Sequence, residues 1–236
     1  MTSIDLKVSD AISYMKTIRS HTVDMILTDP PYNINLSSRE PAGFTGIYND
    51  DDNERTSSNW DELTFQASEF IKETERLITN NGCLVLFFDV WKITTIKDLL
   101  DAHGFNNIRL LTWRKNNPSP FTAGHGHYLP SVNEYMIFAM KKRKTTPDYK
   151  EHHIGIFEYD KPNRKTRKIY SYAQKPIALF EELIERHTKE GEYVLDPYVG
   201  SGTTLLACKN TNRSFLGCDI LSEHVDNIRQ LLKEVR

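Results

Sequence analysis

An α/β domain on a mainly parallel sheet is what this chain predicts, and three observations predict it. Short apolar runs alternate along it with helical patterns. Two of those runs end abruptly in turn chemistry, one in Asp29-Pro30-Pro31-Tyr32 and one in Asp196-Pro197-Tyr198-Val199-Gly200-Ser201-Gly202. The 236 residues, 39% hydrophobic and 26% charged, suffice for one domain with a large core.

The elements follow in order. Ile4–Lys7 reads as a short strand, and Asp10 as the cap of a helix running to about Ile18. VDMILT, residues 23–28, is a continuous apolar strand that two prolines must stop. Residues 36–59 are polar, acidic and rich in turn formers, which predicts a long mobile loop. Asp61–Thr79 has the period of an amphipathic helix. CLVLFF, residues 83–88, is a buried strand, and Ile93–Ala102 is a helix that Gly104 ends. Ile108–Arg114 and Glu134–Met140 are two further strands around the turn-rich NNPSPFTAGHGHYLPS. Pro176–His187 is a helix, Glu192–Leu195 a strand, and a helix follows Thr204 to about Asn210. Ser214–Cys218 is a strand ending at Asp219, and Glu223–Glu234 is a last helix. There is no internal repeat.

Composition narrows the classes. No apolar run approaches the roughly 20 residues needed to span a bilayer, and MTSIDLKVSD lacks the apolar core of a signal peptide. The expected location is the cytoplasm, with no membrane partner. Cys83, Cys208 and Cys218 are widely spaced and lie in apolar or helical segments, as buried thiols do. No C-x-x-C occurs, and His125/His127 and His152/His153 lack matching ligands nearby, so no metal is expected. The net charge is −2, which does not fit a protein that coats nucleic acid indiscriminately. The charge is uneven, however. Lys141–Lys175 holds eleven Lys/Arg against four Asp/Glu, a local +7 on a body of −9. Such a run is a solvated face or a local phosphate-binding surface.

The two strand-end motifs carry the chemistry. In 196–204, Gly200 and Gly202 permit a tight turn and close ligand approach, and the helix after them offers free N–H groups. Asp219, at the end of the next strand, is placed to meet ribose hydroxyls. Together they read as an adenosine-binding half-site; the bland alternative is a tight turn without a ligand. Asp29-Pro30-Pro31-Tyr32 lies where open α/β sheets bind ligands, outside the carboxyl end of a strand. A plain β-turn would explain its prolines but not Asp29 and Tyr32.

DPPY together with DPYVGSGTT resembles the amino-group DNA methyltransferases, and more specifically the β class of adenine-N6 enzymes. The resemblance runs through ILTDPPYNI (26–34), NNGCLVLFF (80–88), TWRKNNPSP (112–120), EYMIFAMKK (134–142), QKPIALFEELI (174–184), VLDPYVGSGTTLLACK (194–209) and FLGCDI (215–220). It implies a circularly permuted Rossmann-like methyltransferase sheet in a single domain, residues 1–236, with the catalytic half first and the cofactor half last. It implies S-adenosylmethionine as cofactor. Asp29, Pro30, Pro31 and Tyr32 would be catalytic. The cofactor would be held by Asp10, Ala11, Asp29, Gln174, Lys175, Pro176, Asp196, Tyr198, Gly200, Ser201, Gly202, Thr203, Thr204, Asp219 and Ile220. Two departures stand out: the family usually has Phe at 198 and Glu at 219.

The implied chemistry has a physical basis. An exocyclic base amine is a poor nucleophile, because its lone pair is delocalised into the ring. Two acceptors, the Asp29 carboxylate and the Pro30 carbonyl, would draw it toward sp³ geometry. Tyr32 would stack on a flipped-out base. No cysteine follows a proline, which excludes the cytosine-C5 chemistry. Segment 141–172 sits where the family keeps a small target-recognition insertion. Lys141, Lys142, Arg143, Lys144, Arg164, Lys165, Arg167 and Lys168 are its candidate DNA-binding residues, interleaved with Tyr149, His152, Phe157 and Tyr159. The expected partners are DNA and a second copy in a homodimer, with a cognate restriction nuclease in the same system that it need not bind. The competing readings are N4-cytosine methylation, a non-catalytic methyltransferase-like DNA-binding subunit, and methylation of RNA or a protein amide. Asp at position 29 rather than Ser favours adenine.

Overall fold

The computed structural model describes residues 2–31, 66–118, 132–142, 154–162 and 174–234. Eight strands form one sheet: β1 (Ile4–Val8), β2 (Val23–Thr28), β3 (Ile78–Phe88), β4 (Asn106–Lys115), β5 (Asn133–Met140), β6 (Ile156–Tyr159), β7 (Tyr193–Asp196) and β8 (Ser214–Asp219). Among the described residues six α-helices flank them: α1 (Ala11–Thr17), α2 (Ala67–Leu77), α3 (Ile93–Ala102), α4 (Ile177–His187), α5 (Thr203–Asn210) and α6 (Ser222–Glu234). The strand order is β1-β8-β7-β2-β3-β5-β4-β6. All pairings are parallel except those of β5, which runs antiparallel to both β3 and β4.

The order explains the sequence pattern. β2 is flanked by β7 and β3 and covered on both faces, so its six residues are almost uniformly buried. Leu179, Phe180, Leu183, Leu205, Val225 and Ile228, from α4, α5 and α6, pack on one face. Tyr14, Met15, Phe70, Ile71, Ile96 and Leu100, from α1, α2 and α3, pack on the other. The result is a three-layer α/β/α domain. β1 pairs with β8 from Ile4↔Phe215 to Val8↔Asp219, and Arg229 of α6 donates to the Leu6 carbonyl at 3.2 Å. The last helix therefore returns to the first strand, as the permuted order requires.

Besides shifts of one or two residues at element ends, the structure departs from the sequence expectation as follows. β3 starts at Ile78, not Cys83. Its first pair is Val23↔Ile78 and its next Met25↔Cys83, so the polar Thr79–Gly82 stretch bulges between them. The helix expected over 61–79 spans Ala67–Leu77 among the described residues. β6 was not anticipated: four residues within the basic segment join the edge of the main sheet beside β4, from Thr112↔Ile156 to Lys115↔Tyr159. The loop expected over 36–59 lies outside the described residues.

Candidate active site

β2 continues to β3 on one side of the sheet, and β7 continues to β8 on the other. The crevice where they part, at their carboxyl ends, is the switch point at which open α/β sheets bind ligands. Both sequence motifs converge there. Thr28, the last residue of β2, donates its hydroxyl to Asp196 Oδ1 at 2.6 Å and so joins the two strand ends. Asp29 follows, its side chain 23% exposed at the mouth. Pro30 is buried and Pro31 half-buried, so the carboxylate stands on a rigid base. Tyr32 lies outside the described residues.

Asp196 is 3% exposed. Beside Thr28, it accepts from Thr204 Oγ1 at 2.5 Å and from the Tyr198 amide at 3.1 Å. All three donors are neutral. Burial pushes its carboxyl up to about 6, with Asp29 adding to the rise against those hydrogen bonds. Gly200 and Gly202 sit at φ +48° and +75°, where a side chain would be strained, and Gly202 caps α5. Ser201 Oγ and Thr203 Oγ1 are 3.0 Å apart across that cap. The ring of Tyr198 tilts against Phe70 of α2, centroids 6.3 Å apart.

Asp219 does more than end β8. Its Oδ2 accepts from the Gly200 amide at 2.8 Å and its Oδ1 from the Leu221 amide at 2.9 Å, so it ties the glycine turn to the start of α6. His224 Nδ1 lies 3.1 Å from Oδ2, and this contact raises the imidazole above its usual value. Ile220 is exposed beside it. Asp10 caps α1, accepting from the Ser13 amide at 2.9 Å. Ser9 bonds the Asp219 carbonyl at 2.9 Å, which brings Asp10 to the same rim. Ala11 is buried in the first turn of α1.

Gln174 and Pro176 are buried where the chain enters α4, and Gln174 Oε1 is a buried atom with no hydrogen-bond partner. Such an acceptor is costly unless something donates to it. Lys175 between them pairs with Asp29 and, at 3.2 Å, with Glu134. Burial opposes the charge of Lys175, but Asp29 and Glu134 outweigh it and hold the ammonium above its usual range. Burial likewise opposes the charge of Glu134, yet Lys175 and Lys115 hold its carboxyl below the usual carboxylate range. Thr28, Glu134, Lys115 and His224 were not singled out from the sequence. The one local sign of Glu134 is an acid opening an otherwise apolar strand run, EYMIFAM.

The basic segment is only partly placed. Lys141 is not at the catalytic end. Its ammonium is held by Glu75 Oε1 at 3.0 Å and by the Glu75 carbonyl at 2.6 Å. It follows Met140, which pairs with Cys83 in the middle of β3, where the pairing of β3 with β5 begins. Five residues of strand, about 17 Å, separate that end from Phe88. The Lys141 ammonium thus lies at the end of the sheet opposite Asp29, and the exposed Lys142 follows it there. Arg143, Lys144, Arg164, Lys165, Arg167 and Lys168 lie outside the described residues.

The site fits a cationic ligand that bears a nucleoside. It offers an uncompensated buried carboxylate, an orphan amide oxygen and a glycine turn open at a helix N-terminus. The three cysteines are buried thiols, and burial raises those of Cys208 and Cys218 above their usual range, which suits packing rather than nucleophilic attack. Among the described residues no His/Cys/Asp/Glu group is placed to hold a metal, and no helix is long and apolar enough to cross a membrane.

Comparison with known proteins agrees with this geometry. The N6/N4 methyltransferase family model, DNA methylase, matches residues 23–230. The Type II methyltransferase M2.DpnII of Streptococcus pneumoniae is 27% identical over 237 residues, 95% of this chain and 88% of that protein. The crystal structure of the M1.HpyAVI–SAM complex superposes with a TM-score of 0.70 at 27% identity, covering 97% of this chain and 98% of the other. The cytosine-N4-specific PvuII DNA methyltransferase shares the fold, with a TM-score of 0.69 at 12% identity over 98% of this chain and 86% of that one.

Proposed function

The chain belongs to the N6/N4 DNA methylase family, and from that premise we propose that it transfers a methyl group from S-adenosylmethionine to N6 of adenine in DNA. The observation that carries the reading is the junction of Asp29-Pro30-Pro31 with the 196–204 turn across the switch point, tied by Thr28 and Asp196. When bound, S-adenosylmethionine supplies an electrophilic methyl on a sulfonium. Asp196, Gln174 and the Gly200–Thr204 turn would hold its cationic and polar groups, with Asp10, Asp219 and Ile220 at the rim. Asp29 would accept a hydrogen bond from the base amino group, and the Pro30 carbonyl a second. Both acceptors are fixed before the base arrives, so they cost no reorganisation during transfer. Tyr32 would present its ring to the extruded base.

Asp at 29 supports adenine as the target. The fold shared with a cytosine-N4-specific enzyme supports N4-cytosine as a second reading. The basic stretch 141–172, which contains β6, is proposed to read the DNA site. A homodimer, a cytoplasmic location and pairing with a restriction nuclease rest on resemblance to Type II methyltransferases.

The test is nucleoside mass spectrometry of DNA incubated with the protein and labelled S-adenosylmethionine. Labelled N6-methyladenine is expected, and labelled N4-methylcytosine would overturn the choice of base. Asp29→Ala should lose at least about 100-fold in transfer, the scale of losing a transition-state acceptor, while cofactor binding survives. An Asp29→Ala variant of normal activity would remove Asp29 from the chemistry.

A further inference from the structure

Building on that reading, we propose that Lys175 is a positioning residue for the transfer and not a cofactor ligand: anchored by Glu134, its ammonium fixes the orientation of the Asp29 carboxylate. Four charged side chains alternate along the catalytic end of the sheet. Lys115 bonds Glu134 Oε1 at 2.9 Å, Glu134 Oε2 lies 3.2 Å from Lys175 Nζ, and Lys175 pairs with Asp29 Oδ2. The row is neutral overall. Its two inner members come from different elements, Glu134 from the start of β5 and Lys175 from the entry to α4.

Three features argue that the row serves the transfer more than stability. Lys175 is 11% exposed at its side chain, and buried ion pairs are weak stabilisers, often matched by apolar packing of similar volume. The ammonium is also confined. It sits 5.4 Å from the centroid of the Phe87 ring, which is itself stacked on Phe180 at 5.6 Å. Pro176 immediately after it, like Pro30 after Asp29, limits backbone freedom at both ends of the pair. Finally, an ammonium has three donors, and two carboxylates already engage it here. The cofactor is itself cationic at sulfur and at its amino group, so a lysine is a poor neighbour for those groups.

Glu134 has a distinct part in this arrangement. A lysine paired with Asp29 alone would compete with the base amine for the carboxylate. By sharing the ammonium, Glu134 leaves Asp29 a better acceptor while keeping it pinned. Asp196, the other acid facing Asp29 across the crevice, pushes against the Asp29 charge, and Lys175 offsets that repulsion.

The experiment compares wild type with Lys175→Met, Lys175→Arg, Glu134→Gln and the double variant Lys175→Met/Glu134→Gln. It reads single-turnover methyl transfer at saturating DNA and S-adenosylmethionine, the cofactor Kd by calorimetry, and the thermal midpoint. The expected result is a rate loss of about 100-fold for Lys175→Met with cofactor Kd within about threefold, as befits an interaction made for the transition state. Lys175→Arg retains the charge and should recover to within about tenfold of wild type. Glu134→Gln should lose about tenfold, and the double variant should be no slower than Lys175→Met, because the two act as one unit. A cofactor Kd weakened tenfold or more in Lys175→Met at an unchanged saturated rate would make Lys175 a cofactor ligand and overturn the proposal. So would multiplicative losses in the double variant. If Lys175→Met does not fold, Glu134→Gln and Lys175→Arg decide: a wild-type rate in folded Glu134→Gln sinks the proposal. A wild-type protein that methylates no base removes the reading of the site itself. A wild type that does so beside an equally fast Lys175→Met removes only this inference.

Discussion

Asp196 places a buried carboxylate among neutral donors, and the cost can be worked out. Its carboxyl stands at about 6 in the folded protein against an ordinary value of 3.8. Each unit is worth about 1.4 kcal/mol, so the ionised group costs the fold about 3 kcal/mol at neutral pH. The sign follows from the raised value. Below 3.8 both states carry the proton and nothing is lost. Between 3.8 and 6 the unfolded chain releases its proton first, so stability falls as pH rises. Above 6 the cost is complete and constant. Asp196→Asn removes the charge while keeping the shape. The amide oxygen can still accept from Thr28 and the Tyr198 amide, and the amide nitrogen can donate to Thr204, whose hydroxyl rotates to accept. Urea titrations of both proteins without cofactor, from pH 4 to pH 8, measure the difference. The variant should gain on wild type by about 2–3 kcal/mol between pH 4 and pH 7, then hold level. Saturating S-adenosylmethionine should then stabilise wild type more than the variant, since cationic groups are what this carboxylate lacks. A gap that stays constant with pH, or closes as pH rises, would refute the reasoning.

Two further substitutions probe the frame around the site. A Cβ on Gly217 would meet Phe215 Cζ at 2.4 Å and Val199 Cγ2, in the glycine turn, at 2.7 Å. Gly217→Ala should therefore cost about 1–3 kcal/mol by overpacking and weaken cofactor binding. A wild-type urea midpoint would show that the turn yields freely. His224 has a raised folded value through Asp219, so its stabilising share is present below its unfolded value and lost as pH climbs through the folded one. The thermal midpoint of His224→Gln should lie below wild type at pH 6 and approach it at pH 9; an equal gap at both would mean that the contact is packing.

Much of this was legible because the signals are local. VDMILT and SFLGCD are continuous apolar runs that end in turn chemistry, and both lie in the interior of the sheet as strands buried on two faces. The glycines at 200 and 202 announce positive φ, and the structure has it at both. What escaped was non-local or masked by polarity. Thr79–Gly82 is polar and bulged, so the first part of β3 carried no strand period. IFEY is four residues beside Gly155 and Asp160, and its partner in β4 lies more than forty positions back. The partnership of Lys175 with Asp29 joins residues 146 apart, and no spacing rule reaches that far. The place of Lys141 beside Glu75 was hidden for a similar reason: a charge count does not know to which end of a strand it belongs.

The pairing of β1 with β8 has a bearing on how the protein is made. Ser3 bonds to Ser214, 211 positions later, and β2 in the centre of the sheet waits for β7. On the ribosome the Asp29 strand emerges early but has only β3 to lean on, with its other edge open until nearly the whole domain is out. Contacts so distant along the chain slow folding and leave strand edges exposed meanwhile. The same delay is a safeguard. A nascent chain stalled before β7 has Asp29 but not the 196–204 turn, so on the proposed reading an unfinished copy would carry the base side of the site without the cofactor side and could not transfer a methyl group.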